Sequence, residues 1–126
     1  MKDIDIGKLG EEATQEYLLN KGFALVDSNY HSRYGEIDII CEDDKYIVFV
    51  EVKTRKNGSL VRGIHAVNIP KREKIIKTAL MYFSEYGVVK QPRFDVAEVI
   101  VNKKGECEKI NYYENAFDTE ELGAFF

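Results

Sequence analysis

A single α/β domain, with a mixed β-sheet flanked by helices, is predicted for this chain on three observations. Helix-like and strand-like patterning alternates in the order helix, three strands, helix, two strands (αβββαββ). Short turns separate the first three strands, which implies an antiparallel meander. A helical segment then precedes the fourth strand, the connection that parallel strands require. The length of 126 residues fits one domain over 1–126 with its own core.

Gly7 to Lys21 reads as a helix, with Leu9, Ala13 and Tyr17 at i, i+4 and i+8, Leu18 widening the stripe, and Gly22 placed as a terminating glycine. Phe23 to Asn29 is a short apolar strand, and His31 to Gly35 a polar turn. Glu36 to Glu42 is a second strand, expected to carry Ile37, Ile39 and Cys41 on one face. After Asp43-Asp44-Lys45, Tyr46 to Lys53 is the most apolar strand, suited to the centre of a sheet. Thr54 to Asn68 reads as a long polar loop containing Gly58 and Gly63, of the kind that often serves function. Pro70 opens a helix whose stripe is Ile75, Ile76, Ala79, Leu80 and Phe83, and Gly87 ends it. Arg93 to Val101 and Glu106 to Tyr113 are the last strands. Residues 114–126 form an acidic tail, read as a short helix or a frayed end.

Composition excludes several classes. Hydrophobic residues make up 44% and charged residues 32%, which suits a globular chain and argues against disorder. No apolar run approaches the roughly 18 residues of a membrane span. The N-terminus lacks the apolar stretch of a secretory signal, so a cytoplasmic location is expected. Cys41 and Cys107 have no zinc-like spacing and read as two buried thiols in a reducing compartment, with a disulfide left open. The net charge of −4 does not favour nucleic acid, but its distribution is uneven. Between Val52 and Lys77 eight basic residues face Glu73 alone, whereas from Gly105 onward six acids face Lys109 alone.

The chemistry concentrates where the second and third strands meet. Glu36 and Asp38 are two apart, as are Glu51 and Lys53 on the next strand. Pairing of these strands in a suitable register brings Asp38, Glu51 and Lys53 together. Clustered carboxylates repel unless a cation joins them, and buried charge is costly without a partner. An all-oxygen donor set suits Mg²⁺ or Mn²⁺. Such an ion polarises a phosphoryl oxygen and acidifies its water, while a lysine steadies developing charge. Glu-x-Lys in a strand also has an ordinary explanation as an exposed ion pair.

Asp38, a short hairpin and Glu51-Val52-Lys53 together resemble the PD-(D/E)XK nuclease signature. The closer resemblance is to the bacterial YraN-like family, related to the archaeal Holliday junction resolvases. It is carried by Gly7-Lys8-Leu9-Gly10-Glu11, Gly35-Glu36-Ile37-Asp38, Val48 to Arg55, Ala66-Val67 with Pro70-Lys71-Arg72, and Arg93-Phe94-Asp95-Val96. Ile37 stands where the superfamily signature has proline. The resemblance implies a restriction-endonuclease-like core and a Mg²⁺- or Mn²⁺-dependent endonuclease acting on branched or structured DNA. It implies Asp38 and Glu51 as metal ligands, Lys53 as the catalytic lysine, and Glu11 as the helix glutamate completing the site. A homodimer follows by analogy. A catalytically inactive nucleic-acid-binding module that acts with a protein partner is the alternative, and a protein-interaction subunit using the tail with Phe117, Phe125 and Phe126 is a third.

Lesser candidates surround this centre. Glu36 is an outer metal ligand or a strand-edge acid. Asp95 pairs with Arg93 on an exposed face or supports the site. Arg55, Lys56, Arg62, Lys71, Arg72 and Lys74 are candidate phosphate contacts, which give affinity without sequence preference. His31 and His65 read as surface residues. Tyr30 and Tyr34 are base-stacking candidates or packing aromatics.

Overall fold

A computed structural model describes residues 5–56 and 67–122, with side chains through residue 120. The order is α1 (Ile6–Asn20), β1 (Ala24–Ser32), β2 (Gly35–Glu42), β3 (Tyr46–Lys56), α2 (Ile69–Tyr86), β4 (Gln91–Val101) and β5 (Cys107–Phe117), then a short 3₁₀ turn, Thr119–Leu122. The five strands form one sheet in the order β1-β2-β3-β4-β5. β1, β2 and β3 pair antiparallel, β3 and β4 parallel, β4 and β5 antiparallel. The most apolar strand therefore occupies the centre, as its sequence predicts.

Each sheet face carries its own core. On one side Ile37, Ile40, Ile47, Phe49, Phe94 and Val96 pack against Ile75, Ile76, Ala79 and Tyr82 of α2. On the other, Ile39, Cys41, Val48, Val50 and Ala97 pack with Leu18 of α1. Strand alternation assigns odd and even positions of β3 and β4 to opposite sides. In β2 that alternation breaks. Ile37 joins the α2-side core while Ile39 and Cys41 join the other, so the expected single face is corrected. The break falls at Asp38, across from Asn29, whose backbone is left-handed (φ 52°).

The helices are capped by short-range chemistry. Asp5 accepts from the Lys8 N–H at 3.0 Å, and Asn68 accepts from the Lys71 N–H at 3.0 Å. Gly87 ends α2 at φ 60°, a conformation that favours glycine. The buried residues of α1 are Gly10, Thr14 and Leu18; Leu18 is as predicted, while Leu9, Ala13 and Tyr17 are only partly buried. The physical reason is a close approach. A Cβ on Gly10 would collide with Thr54 Oγ1 and come within 3.1 Å of Thr54 Cβ. Only the bare glycine backbone lets α1 lie against the end of β3.

Other expectations need correcting. Cys107 is exposed rather than buried, while Cys41 is buried with its thiol pushed up to about 12, chiefly by burial. β5 runs through Phe117, which is 4% exposed and stacks on Phe94. Residues 114–117 thus belong to the sheet, and Phe117 is spent on the core rather than free to dock a partner. β3 continues to Lys56, shortening the expected loop. Gly58, Arg62, Gly63, His65, Ala66, Phe125 and Phe126 lie outside the described residues. Among the described residues no helix is long and apolar enough to cross a membrane.

Candidate functional site

Asp38 and Glu51 meet where the β2–β3 ladder stops. The last paired residues are Ile39 and Val50. Beyond them the backbone N–H of Val52 donates to Asp38 Oδ2 at 2.8 Å, and the Asp38 carboxyl acts directly on that of Glu51, raising it. A carboxylate thus takes the place of a ladder carbonyl, which ties Asp38 to the neighbouring strand.

Glu51 is 5% exposed. Lys53 Nζ lies 3.8 Å from its Oε1, and Lys71 Nζ, from the first turn of α2, lies 3.8 Å from its Oε2. Burial and then the negative charge of Asp38 push the Glu51 carboxyl up to about 8, against the opposing pull of Lys71 and Lys53. The two lysines do not offset the loss of water around a buried carboxylate, so the site favours either a proton or a stronger cation.

Glu11 adjoins this pair from the opposite helix. Its carboxyl is raised by partial burial and by Asp38, with smaller contributions from Glu36 and Asp5, and lowered by a hydrogen bond from Asn29. The negative charge of Asp38 thus raises both Glu11 and Glu51. Among the described residues no three His, Cys, Asp or Glu side chains are grouped closely enough to hold one ion. The donor set that fits a cation is the Asp38–Glu51 pair, hard oxygen donors suited to Mg²⁺ or Mn²⁺ with water completing the shell. Glu11 is adjacent to that pair and not gathered with it. Glu36 is half-exposed and faces His31, with its Oε2 3.9 Å from Nδ1.

The remaining candidates divide. Asp95 is fully buried, not on an exposed face. It accepts from Arg93 Nε (3.0 Å) and Nη2 (2.9 Å), the Tyr112 hydroxyl (2.6 Å) and the Asn115 N–H (2.8 Å). Alternation along β4 sets it on the α1 side, away from Lys53, so it serves packing of β4 on β5. Arg55 Nε donates to Glu98 at 2.8 Å, and Asn111 donates to the other Glu98 oxygen at 2.7 Å. Glu98 is 1% exposed, so Arg55 neutralises a buried acid and has an internal task. Arg72 Nε donates to the Val67 carbonyl at 2.9 Å and its guanidinium lies over Phe117. Lys56 and Lys74 are exposed. Tyr30 packs edge-on against Tyr82, a core aromatic rather than a free platform.

Sequence reasoning overlooked Asn29, Glu98 and Thr54. Asn29 faces Asp38 across the β1–β2 pair and bonds Glu11. A usable signal existed only for Thr54, through the glycine in the middle of α1, which otherwise costs about 1 kcal/mol relative to alanine.

A cavity of about 760 Å³ opens elsewhere, at the start of β3 and β4, lined by Tyr46, Gln91, Arg93, Phe94, Glu114 and Asp118. The carboxylate pair does not line it. Enclosed cavities suit small ligands, whereas a polymer can be met by an open surface, so this cavity does not displace the carboxylates as the candidate site.

The model of the family described as "Uncharacterised protein family UPF0102" matches residues 10–99. A UPF0102 protein of Alkaliphilus metalliredigens is 42% identical over 113 residues, covering 89% of this chain and 96% of the relative. One from Dictyoglomus turgidum is 39% identical over 118 residues, covering 93% and 100%. One from Legionella pneumophila is 38% identical, covering 89% and 93%. The matched region contains Glu11, Asp38, Glu51, Lys53 and Lys71, and the chain belongs to the UPF0102 family.

Proposed function

We propose that this protein is a metal-dependent endonuclease hydrolysing phosphodiester bonds in structured or branched DNA. The observation that carries the reading is the Asp38–Glu51 pair, two carboxyls in contact at the end of a sheet ladder with lysines on both Glu51 oxygens. Buried like charges are held together at a cost, and a divalent cation is the chemistry that offsets it.

Asp38 and Glu51 would hold Mg²⁺ or Mn²⁺. Once bound, that ion would supply Lewis acidity toward a phosphoryl oxygen and an acidified water. Lys53, two strand positions beyond Glu51, would bring an ammonium to charge developing on phosphate. Lys71 reaches the same carboxylate from α2 and would turn to substrate phosphate when Glu51 takes a metal. Glu11, steadied by Asn29, orients water beside Asp38. Lys56 and Lys74 would add phosphate contacts along the open surface.

The test is cleavage of labelled four-way junction, flap, single-stranded and duplex DNA with Mg²⁺ or Mn²⁺. Cutting by the wild type that is lost in both Glu51→Ala and Lys53→Ala supports the reading. No cutting of any substrate by folded protein overturns it.

One observation favours a second reading, a binding module without chemistry. Lys53 and Lys71 each place an ammonium 3.8 Å from a Glu51 oxygen, so the carboxyl has cationic neighbours without a metal. Calorimetric titration with Mn²⁺ separates the two, since an inactive module binds no ion through Asp38 and Glu51.

A further inference from the structure

The charge beside the candidate site continues across the molecule along one flank of α2. Lys71, Lys74 and Lys77 follow at three-residue intervals, the spacing that aligns side chains along a helix. Lys71 touches Glu51. Lys74 lies against the β1–β2 turn, where a Cβ on Gly35 would meet Lys74 Cβ at 3.6 Å. Lys77 Nζ stands 5.6 Å from the centre of the Tyr34 ring in the same turn. Arg33 stands over that ring too, 4.9 Å from its centre, and donates to the Tyr34 hydroxyl at 2.8 Å. The turn is fastened to the helix, since the hydroxyls of Ser32 and Thr78 are 2.9 Å apart and Ser32 Oγ also accepts from the Tyr34 N–H at 3.0 Å.

Beyond Lys71, these cations are not neutralised by any described acid. Among the described residues no acid lies within ion-pair distance of Arg33, Lys74 or Lys77, and Glu73, the acid within this stretch, pairs with none of them. Nearby Glu36 faces His31 instead. Cations held by an aromatic ring and left without carboxylate partners lose little freedom on meeting an anion. The six residue steps from Lys71 to Lys77 rise about 9 Å along the helix axis. At about 3.4 Å of rise per phosphate in one strand, that length matches two to three successive phosphates.

We infer that Arg33, Lys74 and Lys77, with Tyr34 as their support, form a phosphate track that carries the nucleic-acid backbone away from the Glu51–Lys71 contact and over the β1–β2 turn. This rests on the proposed nuclease reading for its direction, and it extends the substrate footprint to a turn that the basic middle of the sequence does not include. Tyr34 acts as a positioning residue, keeping Arg33 and Lys77 side by side on one ring.

The test is binding, not cleavage. A fluorescein-labelled forked DNA duplex with single-stranded arms is titrated by anisotropy in EDTA at several salt concentrations. The proteins are wild type, Arg33→Ala/Lys77→Ala, Tyr34→Leu, and Lys103→Ala/Lys104→Ala at the remote β4–β5 turn, each confirmed folded by circular dichroism. The track predicts that Arg33→Ala/Lys77→Ala lowers the slope of log K against log salt by about 1.4–1.8, since each phosphate contact contributes about 0.7–0.9. Tyr34→Leu should weaken binding in the same direction, and the remote pair should behave as wild type. A slope unchanged in Arg33→Ala/Lys77→Ala overturns the track while leaving cleavage, measured separately, free to succeed. A track-dependent slope in a protein that cuts nothing supports the track and overturns the nuclease reading. Absence of any DNA binding by the wild type overturns both.

Discussion

The backbone N–H of Val52 donates to Asp38 Oδ2 at 2.8 Å, just past the last ladder pair of β2 and β3. One oxygen of Asp38 is thereby fixed to the strand that carries Glu51, and this forces two carboxyls into contact. Asp38→Asn keeps an acceptor for Val52 and removes the charge. The Glu51 carboxyl should then titrate well below its raised value of about 8, as followed by carboxyl carbon NMR. Asp38→Ala also abandons the Val52 N–H and should cost about 1–3 kcal/mol in denaturant unfolding. An unmoved Glu51 titration in Asp38→Asn would show that burial alone raises it.

Stability of the metal-free protein should fall as the solution becomes more alkaline, on account of Glu51. A carboxyl raised from 4.5 to about 8 in the folded state favours folding while protonated. Below its unfolded value that contribution is complete, and it is lost progressively as pH rises from about 4.5 through 8. Glu51→Gln removes the titration. At pH 8.5 in EDTA the variant should be more stable than wild type by a few kcal/mol, with the advantage shrinking toward pH 5. Urea unfolding at the two pH values measures this. Added Mg²⁺ should stabilise wild type and not the variant. A difference that does not vary with pH would falsify the assignment of the buried charge to Glu51.

Gly10 sets how near α1 comes to β3. Gly10→Ala improves helix propensity by about 1 kcal/mol yet puts a Cβ into Thr54. Overpacking of this kind costs about 1–3 kcal/mol, so a net loss is expected. Because Thr54 Oγ1 is the nearest atom, the loss should shrink in a Thr54→Ala background, a coupling that a double-mutant cycle reads directly. Additive effects would mean that α1 shifts elsewhere to relieve the contact.

These contacts mark where sequence pattern stops being informative. The order of elements, the central place of β3 and the carboxylate pair were legible because periodicity and residue type report burial and charge locally. Lys53 was legible by its spacing from Glu51. The face break at Asp38 was not, since Ile37 and Ile39 alternate in sequence as if on one face yet pack in opposite cores. Nor was the fate of Arg55. Its partner Glu98 is 43 residues away and is brought beside it by the parallel β3–β4 register. Charge in a sequence says nothing of which basic residues the fold has already used.

Arg55 and Lys56 are neighbours in the basic stretch and should respond oppositely to substitution. Arg55 Nε holds Glu98, which is 1% exposed, at 2.8 Å, with Asn111 on the other oxygen. Arg55→Ala takes the guanidinium from a buried carboxylate, a loss worth about 3–5 kcal/mol when one partner of a buried pair is removed. Arg55→Ala/Glu98→Gln should recover much of that loss by removing the buried charge as well. Lys56 is exposed at the end of β3, so Lys56→Ala should leave unfolding within about 0.5 kcal/mol of wild type. Its effect should instead be seen in DNA affinity, with a salt slope lower by about 0.7–0.9. A stable Arg55→Ala with reduced DNA affinity would reverse this assignment and return Arg55 to the binding surface.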